Sequence, residues 1–162
     1  MKKRLKNCVI VIPLHLPLGY PCDYIDQTAH ILSKKNLVIF FDFQDPTLWH
    51  ESVKLLGEIK DYFIRVAKGN VGEEIYFRPF SVFPTRNISF IYKMNLYLGI
   101  IQLKLLLMFK RKKIILWGFD PVMEKVIQKI GENISLYDCI DYLGEDEITK
   151  SLKESEKKLF KR

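Results

Sequence analysis

The residues best suited to chemistry in this 162-residue chain stand in two short strings, Trp117-Gly118-Phe119-Asp120-Pro121 and Tyr137-Asp138-Cys139-Ile140-Asp141-Tyr142. Each follows an apolar run, and each delivers carboxylates. Asp138 comes directly off the run Ile134 to Tyr137, where an ionised carboxylate is costly unless hydrogen-bonded or paired. Asp141, three residues on, is placed to reach a cleft rim, where a carboxylate with a raised pKa can take the proton of an attacking sugar hydroxyl. The simpler use of both aspartates is to cap the next helix and tie down loops. Asp120 before Pro121 has the pattern of a helix start, because proline suits the first helical position. A third candidate is the loop His15-Leu16-Pro17-Leu18-Gly19-Tyr20-Pro21. Gly19 permits close approach and His15 and Tyr20 offer polar contacts, with a structural loop histidine as the simpler reading of His15.

That loop argues against the common nucleotide cofactors. A dinucleotide site wants GxGxxG after the first strand, so that the backbone can approach a pyrophosphate, whereas Pro13 to Pro21 holds one glycine and three prolines. No GxxxxGK[ST] phosphate loop occurs anywhere. Asp42, in Asp42-Phe43-Gln44-Asp45-Pro46, stands where an acid binds a ribose, but that use needs the missing glycine loop, and Asp45 reads as a helix cap. Cys8, Cys22 and Cys139 are odd in number and widely spaced, which disfavours a disulfide framework or a zinc site and makes a reducing cytoplasm the expected compartment. No metal and no cofactor is expected on this chain.

The elements that must position these residues alternate in kind. Short β-branched or apolar runs at residues 7–13, 37–42, 75–82, 114–119 and 134–138 predict five strands. Pro79 places the third near an edge, since proline cannot donate to a ladder. Between them, Ile25, Thr28, Ala29 and Leu32 form the inward stripe of a first helix, and Val53, Leu56, Ile59, Phe63 and Val66 that of a second over about 49–67, ended by Gly69-Asn70. A long apolar helix is expected over 88–109, a short one over Val122 to Ile130, and a charged one over 146–162. The long helix is interrupted by Lys93, Asn95, Gln102 and Lys104, so it reads as soluble rather than membrane-spanning. Leu96, Ile100, Leu103 and Leu107 supply its core face. Tyr92, Tyr97, Leu98, Ile101, Leu105 and Leu106 exceed what one face needs; burial within the domain is expected for them, with a partner lobe or lipid as alternatives.

Alternating strands and helices predict an α/β fold, a Rossmann-like parallel sheet with helices on both faces. Such sheets bind ligands outside the carboxyl ends of their strands, which is where the strings above fall. Residues 1–145 are expected to form this lobe, and 146–162 a basic helix leading towards an absent second lobe.

Hydrophobic residues at 48% and charged residues at 28% exclude a disordered chain or a small disulfide scaffold. The net charge of +7 is carried by the two ends, which argues against nucleic acid as a partner. The internal run Lys110, Arg111, Lys112, Lys113 is the exception: it could meet anionic lipid head groups, or be a solvated turn. The N-terminal apolar stretch ends at Pro13, too short for a signal sequence or a span.

With a Pro-containing first loop, the Trp-Gly-Phe-Asp-Pro string and the Tyr-Asp-Cys-Ile-Asp string, the chain resembles the N-terminal lobe of bacterial glycosyltransferases of the GT-B architecture, in particular those of polysaccharide and cell-envelope assembly. The resemblance implies transfer of a sugar from a nucleotide-sugar donor to a polysaccharide or lipid-linked acceptor, with the acceptor held on this lobe and the donor on a C-terminal lobe. By carry-over Asp141 is the general base or orients the acceptor. His15, Pro17, Leu18, Gly19 and Tyr20 form one cleft wall, supported by Trp117, Asp120 and Asp138. The glutamates and glycine loops of a donor-binding lobe are missing, so the chain alone is expected to transfer no sugar. A cytoplasmic protein, peripheral at the inner face of the plasma membrane through Lys110 to Lys113, is the expectation for location.

The alternative is a non-catalytic α/β interaction or binding domain. A receiver module would need an acidic cluster after strand one, where Pro13 and His15 stand, and a flavin module a Ser/Thr-rich first loop, also missing.

Overall fold

The computed structural model describes residues 5–14, 23–43, 64, 68–79, 89–138 and 147–160. Five strands, β1 (Val9–Leu14), β2 (Leu37–Asp42), β3 (Glu74–Phe77), β4 (Ile114–Gly118) and β5 (Ile134–Tyr137), form one sheet. Every pairing is parallel and the spatial order is β3-β2-β1-β4-β5. The fold is the expected α/β, Rossmann-like lobe. β1 and β2 are buried at every position, which is why both read as unbroken apolar runs instead of alternating ones.

Among the described residues three α-helices have defined bounds, α1 (Asp23–Ser33), α2 (Ser89–Met108) and α3 (Glu147–Phe160). From β1 the chain steps outward to β2 through α1; from β3 it crosses back through α2 to β4, on the other side of β1. With right-handed crossovers, opposite steps put the two helices on opposite faces. The side chains follow. Ile10, Ile12, Val38, Phe40 and Ile115 pack with Ile25, Ala29 and Leu32 of α1, while Val11, Ile39, Phe41 and Leu116 pack with Ile100, Leu103 and Leu107 of α2. Each such fully buried aliphatic side chain contributes about 1.5–3 kcal/mol by leaving water.

Three expectations are corrected. β3 stops at Phe77 rather than reaching residue 82, two residues short of Pro79, whose missing N–H cannot extend the ladder. The Pro79 ring instead sits against α2 at Gly99, where an added Cβ would approach its Cγ to 2.9 Å. The helix expected over Val122 to Ile130 is a 3-10 turn of helix, Pro121–Lys125, followed by turns. Gln128 takes a left-handed φ of 64°, which ends helical propagation, and its N–H is accepted by the Glu132 carboxylate. The third concerns α2. Leu96, Ile100, Leu103 and Leu107 are buried as expected and Leu106 with them, but Tyr97, Ile101 and Leu105 are exposed. The helix expected over 49–67 lies mostly outside the described residues; within and beside it, Ile64 and Lys68 are helical and Gly69 is not.

Candidate functional site at the carboxyl edge of the sheet

In the order β3-β2-β1-β4-β5 the direction of winding reverses between β1 and β4, so a crevice is expected outside the carboxyl ends of these two strands. The carboxyl end of β4 is the Trp-Gly-Phe-Asp-Pro string. Successive strand side chains point to opposite faces, and Trp117 and Phe119 both join the cluster on the α1 face. Their rings stack with centroids 6.1 Å apart and planes 19° from parallel. Tyr24, in the first turn of α1, meets Phe119 edge to face at 5.8 Å and 85°. The Tyr24 hydroxyl then donates to Asp138 Oδ2 at 3.2 Å. Asp138 is fixed from its backbone too, its N–H extending the β4–β5 ladder to Gly118 O at 2.9 Å.

Three elements thus converge: the start of α1, the end of β4 and the end of β5. They present a row of aromatic rings ending in a carboxylate. The indole Nε1 of Trp117 is a buried donor without a hydrogen-bond partner among the described residues, and such a group is costly unless something polar meets it. Rings that stack on apolar C–H faces, next to a carboxylate that accepts hydroxyls, form a surface chemically suited to a sugar.

Gly118 serves packing. Its missing Cβ leaves room for Met123, whose Cβ and Cγ would otherwise lie 2.8 and 2.9 Å away. Asp120 caps the 3-10 helix, its carboxylate accepting from Val122 N at 2.7 Å, the local role its position before proline suggested. Of the residues expected at the acceptor cleft, Trp117, Asp120 and Asp138 therefore lie at the carboxyl edge of β4 and β5. His15, Pro17, Leu18, Gly19, Tyr20 and Asp141 lie outside the described residues.

A second carboxylate at this edge was weighed from the sequence only as a ribose ligand, without its burial or its partners. Asp42, at the end of β2, is fully buried; Tyr76 donates its hydroxyl to Oδ2, and Arg78 Nε lies 3.1 Å from the same oxygen. The signal was available: Tyr76 in the neighbouring strand and Arg78 just beyond its end are two apart and so share a face.

The opposite, amino edge carries two other groups. Ser33 Oγ lies 2.9 Å from both His30 O and Glu74 Oε1, and His30 Nδ1 lies 3.2 Å from that same carboxylate oxygen. The serine addresses the carboxylate and not the imidazole, so the trio lacks the relay that activates a nucleophile. The basic run 110–113 precedes β4 and is also at the amino edge. Lys110 turns back onto the chain, donating from Nζ to Gly69 O at 2.7 Å, while Arg111 and Lys113 are exposed. Burial first, then the neighbouring Lys112 charge, lowers the Lys110 pKa below its ordinary 10.5, against a smaller raising effect of Glu73. Among the described residues no group of three or more His, Cys, Asp or Glu could hold a metal ion.

Comparison with protein-family models, with curated proteins and with solved structures finds no match in any of the three.

Proposed function

We propose that this chain is the acceptor-binding lobe of a GT-B-type glycosyltransferase, receiving a sugar from a nucleotide-sugar donor onto a polysaccharide or lipid-linked acceptor. The observation that carries the reading is the aromatic row Trp117–Phe119–Tyr24 ending on Asp138 beside the point where the winding of the sheet reverses. Stacked rings hold a pyranose face and the carboxylate fixes a hydroxyl. Asp141, three residues beyond Asp138, is the proposed base: it takes the proton of the acceptor hydroxyl as that oxygen attacks the anomeric carbon and the nucleoside diphosphate leaves. The donor is assigned to a C-terminal lobe, the proposed partner of this one. Without it, no nucleotide-sugar turnover is expected from the 162-residue chain.

A glycan array probed with the labelled chain tests the reading. Binding to a restricted set of saccharides is expected, weakened at least about tenfold by Asp138→Asn and by Phe119→Leu, a loss in the range of one charged hydrogen bond or one ring contact. No binding to any glycan, or binding indifferent to both changes, would overturn it.

A further inference from the structure

The outer face of α2 is apolar and is covered by none of the described residues. A helix that is apolar all round is ordinarily enclosed by protein or lipid; α2 has its inner face in the core while Phe90, Tyr97, Ile101, Leu105 and Met108 stand on the other side, 46 to 73% exposed, with Phe109 just beyond at 74%. Their spacing of four, three and seven residues keeps them on one stripe, roughly 27 Å long at 1.5 Å per residue. The helix is long and apolar enough to cross a bilayer by length and composition. Its inner face rules that out here, because Ile100, Leu103 and Leu107 are buried against β strands on which the sheet depends. It is therefore suited to lie along a surface.

Charge identifies the surface. Between Ile75 and Phe119 the sequence holds eight basic residues and no acidic one, a cationic concentration besides those of the two chain ends. Lys93 and Lys104 are exposed on α2, Arg111 and Lys113 at its carboxyl end, and Lys129 stands over the Tyr97 ring at 5.4 Å. A second copy of the chain would bring the same cations against these, a repulsive self-complementary contact. An apolar stripe rimmed by cations matches a bilayer with anionic head groups.

We infer that α2 docks the protein on anionic membranes, its apolar stripe resting among the head groups and its basic rim held by their phosphates. This goes beyond the sugar-binding reading and does not depend on it. It also extends the contact from the run 110–113 along the helix, with Lys110 itself committed to Gly69.

Co-sedimentation of the chain with phosphatidylcholine vesicles, with and without phosphatidylglycerol, provides the test. Pelleting with the anionic vesicles in low salt, and not with phosphatidylcholine alone, is expected. Joint replacement Arg111→Gln, Lys112→Gln and Lys113→Gln should weaken it at least about tenfold, and so should Ile101→Asn with Met108→Asn. All five positions lie outside the core, and circular dichroism checks that the variants fold. In a second measurement, Tyr97→Trp should give a blue-shifted emission on anionic vesicles alone. Absence of pelleting and of the emission shift would overturn the inference. So would binding retained by both variants, or self-association in solution abolished by Ile101→Asn with Met108→Asn.

Discussion

Tyr24 and Asp138 are separated by 114 positions in the sequence and joined by a 3.2 Å hydrogen bond. The bond is exposed, so its value to stability is small; its consequence is that α1 and β5 fix the carboxylate from both sides of β4. Tyr24→Phe is expected to cost less than about 1 kcal/mol in urea unfolding. In the glycan array it should weaken binding by releasing Asp138. A large loss of stability would show that the bond is chiefly structural.

Gly118 and Met123 form a packing pair within the Trp-Gly-Phe-Asp-Pro string. Gly118→Ala drives a Cβ into the fully buried Met123 and should cost about 1–3 kcal/mol. Met123→Ala alone leaves a cavity and should cost about 2–5 kcal/mol. In the double variant the new methyl occupies that cavity, so the two losses are expected to sum to clearly more than the loss measured. Additive losses in a chemical-denaturation cycle would contradict this use of the glycine.

The buried Asp42 depends on its neighbours in β3 and just beyond. Arg78→Met removes the cation from a carboxylate with no exposure, whereas Asp42→Asn leaves a neutral amide beside a guanidinium that is 30% exposed and can rehydrate. Arg78→Met is expected to be the more destabilising, by roughly 2 kcal/mol or more. Equal losses in urea would show that Asp42 is held by other means.

Lys110 predicts a pH dependence. Its folded-state pKa is below the unfolded value, chiefly through burial, so between the two the unfolded chain binds more protons and stability rises with pH. Relative to Lys110→Gln, the parent should gain stability as pH climbs through the lowered pKa towards 10.5 and gain no more above it. Resonances of 13Cε-labelled lysine should show Lys110 titrating below 10.5. A parent and variant that stay parallel across that range would exclude the shift.

The strands were legible because parallel strands covered on both faces are written as uninterrupted apolar runs, as in Val9 to Ile12 and Leu37 to Phe41. The inner face of α2 was legible from spacing, but its outer face was not. Apolar residues look alike in sequence whether a neighbour covers them or not, and Leu106 and Leu105 differ only in which way the helix turns them. The break in the helix expected to run to Ile130 was hidden because Gln128, an ordinary helix residue, takes a positive φ, its N–H accepted by the Glu132 carboxylate. At the site, Trp117 and Asp138 stood out by type and place. Tyr24 did not, since its role comes from α1 starting at the same edge at which β4 and β5 end, a relationship that only the strand order supplies.

The most direct test of sugar binding at this edge is a 15N NMR titration of the chain with a panel of mono- and disaccharides. The Trp117 indole N–H, a buried donor without a partner among the described residues, should shift together with the amides of Tyr24, Phe119 and Asp138, while those of Lys112, Lys113 and Glu74 at the amino edge stay in place. Shifts confined to the amino edge, or none with any saccharide, would contradict it.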